Sequence, residues 1–278
     1  MLIHQSMSKL RDMRLSAMAA EYVRQSESPN ISDLDFDERI GMMIDAEWLL
    51  RENNRIQKRL KDAKLRFDSA SLADIDYRPS RKLDRAYIAR LSEFVWVREA
   101  KNIILTGCTG TGKTWLACAF GAHACRIGLH AAFFRVNRLL NEMTGANESG
   151  SMSKLLLKLK RVDILILDDW GMTVFNPLES RFLLEVIEDR YNERSTIISA
   201  QLPVANWHAL FEDSTVADAV LDRLVHNSHR IDLHGPSLRA ATGNVNPKTA
   251  PNGEKFQNTC LPDGEKFQNT CLPDGDID

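Results

Sequence analysis

Eight residues, GCTGTGKT at Gly107–Thr114, constrain this chain more than any other stretch. They follow the apolar run NIILT and lead into WLACAFGAHACRIG, which reads as a helix. A strand that turns through glycines straight into a helix has a definite physical use. The glycines let the backbone curl so that successive N–H groups point inward, and the helix N-terminus adds its own partial positive charge. The result is a cradle for phosphate, and the G-x-x-x-x-G-K-[ST] pattern places a cation and a hydroxyl beside it. On this reading Gly107, Cys108, Thr109, Gly110, Thr111, Gly112, Lys113 and Thr114 hold a nucleotide. Lys113 reaches the β- and γ-phosphates, and the Thr114 hydroxyl ligates magnesium.

The rest of this half of the chain agrees. From Lys101 onward, NIILTG, AAFFRV, DILILD, TIISAQ and HRIDL alternate with helical segments. Such alternation predicts an α/β domain, and continuous apolar runs are the mark of buried parallel strands. The third run, ILILDDWG, ends on two adjacent carboxylates, which a buried strand does not do without a counter-ion. Asp168 is expected to ligate magnesium from the strand beside the phosphate loop, and Asp169 to polarise the attacking water. The competing reading of Asp169 is a cap on the following turn. STIISAQLP ends its strand on Gln201, a polar residue placed to touch the γ-phosphate or the water, or else to face solvent. TGANESGSM, residues 144–152, is expected to be a flexible polar loop. Arg223 lies on a helix two turns before the last strand and Arg239 beyond it, and spacing alone does not separate them from surface arginines. His226 and His229 read as ordinary polar helix positions, because no cysteine or further histidine lies near them at zinc-site spacing.

The first third of the chain is helical in pattern. Leu10, Leu15, Met18 and Tyr22 predict one amphipathic helix within residues 1–25. SESPNISDLD breaks it, with Ser32 or Asp33 as the cap of a long helix from about Phe36 to Arg66. The apolar stripe of that helix includes Ile40, Met43, Ile44, Trp48, Ile56 and Leu60. Its second half carries seven cations against two acids across Arg51–Arg66, in a protein whose net charge is −2. Arg51, Arg55, Lys58 and Arg59 share one face and its border; such a run is ordinarily a solvated helix face, and its concentration in a net acidic protein favours a surface for DNA phosphates instead. Residues 69–81 read as a linker, and two short helical pieces follow up to about Ala100. At the other end GEKFQNTCLPD recurs without change at 253–263 and 264–274, inside a stretch of Pro, Gly and Asn that reads as a disordered extension. The expected organisation is a helical N-terminal DNA-binding or oligomerisation domain over 1–70, a nucleotide-binding domain over 71–245 and a tail over 246–278. No run reaches the roughly 18 apolar residues of a membrane span. The five cysteines form no CxxC, and the N-terminus lacks the apolar core of a secretion signal, so free thiols and a cytoplasmic protein are expected.

Taken together, ERIGMMIDAEW, LTGCTGTGKT, DILILDDWG, LEVIEDRY, STIISAQLP and AVLDRLVHNSHRIDL resemble the IstB family, the ATP-binding transposition helpers of insertion sequences. The family is related to the helicase loader DnaC within the AAA+ ATPases, and the resemblance covers roughly residues 7–240. It implies an AAA+ P-loop fold with a parallel five-stranded central sheet after a small all-helical domain. It also implies an ATPase, stimulated by DNA, that uses ATP and Mg2+. Such a protein assembles as a homo-oligomer on double-stranded DNA and recruits and stimulates a cognate transposase. By motif, Lys113 and Thr114 take the Walker A roles, and Asp168 and Asp169 the Walker B roles. Gln201 falls at sensor 1, Arg223 at the arginine finger and Arg239 at sensor 2. No acidic triad of the kind that cuts DNA is present. The alternative in another class is a DnaC-like replicative helicase loader, against which the segment DAEWLLRENNRIQKRLKDAKLR argues. A small-molecule P-loop kinase would need an arginine-rich lid that TGANESGSM does not supply.

Overall fold

The computed structural model describes residues 2–29 and 31–238, and those up to Ser237 form one compact unit. The expected tail and Arg239 lie outside the described residues.

Three helices open the chain: α1 (Leu2–Asp12), α2 (Ser16–Glu27) and α3 (Phe36–Ala63). The single helix expected over 1–25 is therefore two. Arg14, at φ 61°, stands where helix ends usually carry glycine, and the N–H groups of Arg14 and Leu15 donate back to the carbonyls of Arg11 and Leu10. An arginine in that position sends no breaking signal, and only the five-residue step from Leu10 to Leu15 marks the interruption. The cap of α3 also differs from expectation. It is Asp35, whose carboxylate accepts from the Glu38 N–H at 2.8 Å while the Glu38 carboxylate accepts from the Asp35 N–H at 3.1 Å. This reciprocal box satisfies two otherwise orphaned donors.

The 28 residues of α3 span about 42 Å and pack on two bodies in turn. Its first half lies on α2, where buried Met43 and Glu47 face inward and Glu47 accepts from the Ala17 and Met18 N–H groups that start α2. Its second half turns a different side to the α/β domain and ends at fully buried Ala63. The predicted single stripe thus breaks: Ile44 and Trp48 are 53% and 61% exposed. Beyond it, Leu65, Ala70 and Ile75 are buried, so the predicted linker is packed chain.

Next come α4 (Arg85–Leu91), α5 (Val95–Arg98), β1 (Asn102–Gly107), α6 (Lys113–Arg126), β2 (Ala131–Arg135), α7 (Val136–Glu148) and α8 (Met152–Arg161). The order then runs β3 (Ile164–Trp170), α9 (Pro177–Arg190), β4 (Ser195–Ala200), α10 (Ser214–Val225) and β5 (Ser228–Leu233). The five strands form one parallel sheet in the order β2-β3-β4-β1-β5. Ile103, Leu105, Ile166 and Ile197 pack to one side with α6, while Ile104, Leu165, Leu167 and Ile198 pack to the other with α7, α9 and α10. Alternate residues of buried strands thus serve two cores, which is why the runs contain almost no polar break.

Three local expectations change. The acid-bearing β3 is not beside β1, since β4 lies between them. Residues 144–148 are helical, leaving only Ser149, Gly150 and Ser151 between α7 and α8. Buried Leu139, Leu140, Met143 and Ala146 hold α7 down, and its polar residues form the outer face rather than a loop. His229 lies on β5, not on a helix with His226, and its Nδ1 is 3.0 Å from the Tyr87 hydroxyl.

Candidate functional site

The phosphate loop connects the last residue of β1 to the first of α6. Gly107 adopts φ 137°, and a Cβ there would strike the Leu233 carbonyl of neighbouring β5. Gly112, at φ 92°, is the N-cap of α6 and offers no side chain to the first N–H groups of that helix. Those donors are what an anion at a helix start would take. Lys113 is buried at 7% exposure, with Nζ donating to the carbonyls of Gly107 and Cys108 at 2.6 and 2.7 Å. The cation therefore arches over the loop it would serve.

Asp168 is fully buried, and its Oδ1 accepts from the Thr114 hydroxyl at 2.8 Å. Its Oδ2 has no hydrogen-bond partner among the described residues. Burial pushes its carboxyl above the ordinary range, against the pull of the nearby Ser199 and Thr114 hydroxyls, and the charge of Asp169 adds to the rise. A desolvated carboxylate with an orphaned oxygen and a hydroxyl beside it is an oxygen-donor set suited to a small hard cation. Thr114 and Asp168 are thus the residues that fit Mg2+.

Asp169 is separated from Asp168 by a bulge. The ladder with β4 shifts between Leu167 and Trp170, and Asp169 sits at φ 60°. Strand alternation would put Trp170 on the face of Ile166. The extra residue instead returns it to the core of Leu165 and Leu167, where it packs against Phe175 and Trp207. Anchored on both sides, the bulge sends Asp168 inward and leaves the Asp169 side chain 40% exposed. Bulges re-aim side chains in this way at functional sites. Arg135, closing β2 opposite Asp168 in the ladder, places Nε 3.7 Å from Asp169 Oδ2.

The remaining candidates divide. Gln201 follows β4, is exposed, and donates from Nε2 to Met172 Sδ at 3.3 Å, which turns it toward the loop after β3. Arg223 belongs to the opposite end of the sheet. Its carbonyl accepts from Asn102 at the start of β1, and its guanidinium pairs with Glu188 of α9 at 2.6 Å and lies over the ring of Tyr191. β1 is six residues long, so roughly 17 Å of strand separates Arg223 from its own phosphate loop. On α3, Arg51 pairs with Glu47 at 2.8 Å, and Arg55 and Arg59 lie 3.3 and 3.7 Å from Glu52. Lys58 is exposed, whereas the Arg59 side chain is only 20% exposed. Two residues escaped the sequence reading. Arg135 was signalled only by a cation closing an apolar strand, and Arg81, whose Nη2 donates to the Thr111 carbonyl at 2.6 Å, by nothing at all.

The model of the IstB-like ATP-binding protein family matches residues 8–244. An insertion-sequence ATP-binding protein, y4pL of Sinorhizobium fredii (strain NBRC 101917 / NGR234), is 43% identical over 242 residues, 86% of this chain and 97% of the relative. The IS1162 ATP-binding protein of Pseudomonas fluorescens is 43% identical over 203 residues, 73% of this chain and 88% of its own length. Among solved structures, DnaI superposes with a TM-score of 0.51 at 20% identity, covering 64% of this chain and 93% of that one. The replication initiator DnaA bound to AMPPCP and single-stranded DNA gives 0.50 at 18% identity, covering 59% and 50%. These two likenesses concern the AAA+ P-loop fold alone. With its phosphate loop, its buried acid and a family match over most of its length, the chain belongs to the IstB-like ATP-binding proteins of insertion sequences.

Proposed function

We propose that this protein hydrolyses ATP with Mg2+, assembles as an oligomer on duplex DNA, and there recruits and stimulates the transposase of its element. The observation that carries the reading is the division of the site. The phosphate loop, Thr114, Asp168 and Asp169 converge at one end of the sheet, while Arg223 lies at the other. That separation supports a reading in which one copy carries the nucleotide end of the site and Arg223, held by Glu188 in its own chain, acts on the nucleotide of a neighbour. When bound, Mg2+ would neutralise charge on the β- and γ-phosphates. Asp169 takes a proton from water as the water oxygen bonds to the γ-phosphorus and the bond to the β-phosphate oxygen breaks, leaving ADP and phosphate. Relatives at 43% identity carry insertion-sequence names, whereas the loader-type neighbours share only the fold, which favours the helper over the helicase loader.

The metal role has its own test. Asp168→Asn removes a buried charge with an orphaned oxygen, so the protein without nucleotide should melt about 2–4 °C higher. The same variant should lose the stabilisation that Mg2+ and ATP together give the wild type. A variant that keeps this stabilisation would remove Asp168 from the metal shell.

For DNA, the basic end of α3 is the proposed contact. Its cations are partly answered by Glu47 and Glu52, so Arg55 and exposed Lys58 carry more of the proposal than half-buried Arg59. Reversing both, Arg55→Glu with Lys58→Glu, should weaken duplex binding and flatten the log–log salt slope by about 0.9 for each lost phosphate contact. DNA-stimulated hydrolysis and transposase-dependent strand transfer should fall with it. Unchanged affinity and slope would place the DNA surface elsewhere.

A further inference from the structure

Arg81 has no part in the roles assigned above. It closes the short turn Pro79–Arg81 ahead of α4 and is 6% exposed. Its Nη2 reaches across thirty residues of sequence to the Thr111 carbonyl in the phosphate loop, at 2.6 Å. Its own carbonyl accepts from the His234 N–H at 3.4 Å, just past β5. A single residue thus ties the chain before the sheet to the phosphate loop and to the end of the last strand.

Two features of this contact bear on nucleotide. First, Arg81 makes no ion pair among the described residues, and nearby Asp76 is bound to Arg78 at 2.7 Å. A guanidinium drawn out of water favours a neighbouring anion, and a carbonyl dipole answers only part of its charge. The loop it touches is the one built for polyphosphate. Second, a peptide unit is planar and trans, so its C=O and the following N–H point in opposite directions. Holding the Thr111 carbonyl outward on Arg81 turns the Gly112 N–H to the other side of that peptide. Gly112, left-handed at φ 92°, has no side chain that would hold this plane on its own.

We propose that Arg81 is a positioning residue for ATP, which acts through the Thr111 carbonyl to aim the Gly112 N–H into the phosphate loop and lends that loop its charge. The inference rests on the phosphate loop being the ATP site.

The test uses the full chain with Arg81→Met, Arg81→Gln and Arg81→Lys, a fluorescent ATP analogue with Mg2+, steady-state hydrolysis and thermal unfolding without nucleotide. Arg81→Met should bind the analogue about tenfold more weakly, with KM raised to match and kcat within about threefold of wild type. Arg81→Lys, which keeps the charge and a donor for the Thr111 carbonyl, should recover most of the affinity, with Arg81→Gln between the two. The nucleotide-free melting temperature of Arg81→Met should hold or rise, because an unpaired buried charge has gone. Binding by Arg81→Met within about twofold of wild type overturns the proposal. So does a loss of affinity that follows a loss of melting temperature and that Arg81→Lys does not restore, since a structural contact alone behaves that way. Should Arg81→Met fail to fold, Arg81→Gln is judged by the same limits, and failure of both assigns the residue to folding and ends the proposal. Wild-type protein that bound no analogue would instead overturn the nucleotide site itself.

Discussion

Asp169→Asn should bind ATP as the wild type does and hydrolyse it at least about a hundredfold more slowly, the usual scale for removing a positioned general base. Asparagine is the right substitution here for a backbone reason. Position 169 is left-handed at φ 60°, a conformation that asparagine tolerates as well as aspartate and most residues do not. The bulge, buried Asp168 and the Trp170 anchor should therefore stay in place. What changes is the carboxylate, which accepts a proton where the amide does not. The ion pair with Arg135 is lost too, but both side chains are more than a third exposed, so its loss should cost little stability. ATP binding read by the same fluorescent analogue and turnover read by phosphate release separate the two effects. Hydrolysis at the wild-type rate would show that Asp169 only closes the turn after β3.

Much of this was legible in the sequence because the informative residues are neighbours in it. The phosphate loop is eight consecutive residues with a strand before and a helix after, and the two acids follow four aliphatic residues. The central strands β1, β3 and β4 are buried on both faces and leave long apolar runs, while the edge strand β5 shows only as Ile231 and Leu233 alternating with polar residues. Three of the misses depended on something that neighbouring residues do not encode: a left-handed arginine at 14, a helix that packs on two bodies, and a carbonyl contact from Arg81 to Thr111. The insertion of β4 between β1 and β3 is likewise a property of the sheet as a whole. The cap of α3, by contrast, is encoded locally, in Asp35 and Glu38, and the sequence reading set it too early, at Ser32 or Asp33. Composition misled at α7, where TGANE is polar because it faces outward around buried Met143 and Ala146.

Arg223→Ala should bind ATP normally, hydrolyse it about 10³–10⁵-fold more slowly, and fail to assemble stably on DNA. The geometry sharpens this expectation. Arg223 is fixed at the start of β1, and β1 is longer than an arginine side chain, so it does not reach the γ-phosphate of its own chain. An effect on hydrolysis must therefore come through a neighbouring copy or through loss of structure. Structure is a real competitor, because the guanidinium pairs with Glu188 and lies over Tyr191, binding α10 to α9. Mixing separates the two. Asp169→Asn subunits bring an intact Arg223, and Arg223→Ala subunits an intact Asp169. At equal mixing about one interface in four of a head-to-tail assembly would pair the intact halves, and activity should return to a corresponding fraction of wild type. A structural defect in Arg223→Ala gives no such recovery, nor does an arginine acting within its own chain. Glu188→Gln supplies the converse test: it frees Arg223 from its intrachain partner while leaving the arginine in place, so hydrolysis on DNA should hold or rise. Mixtures that co-assemble yet stay inactive at every ratio would return Arg223 to the packing of α9 and α10.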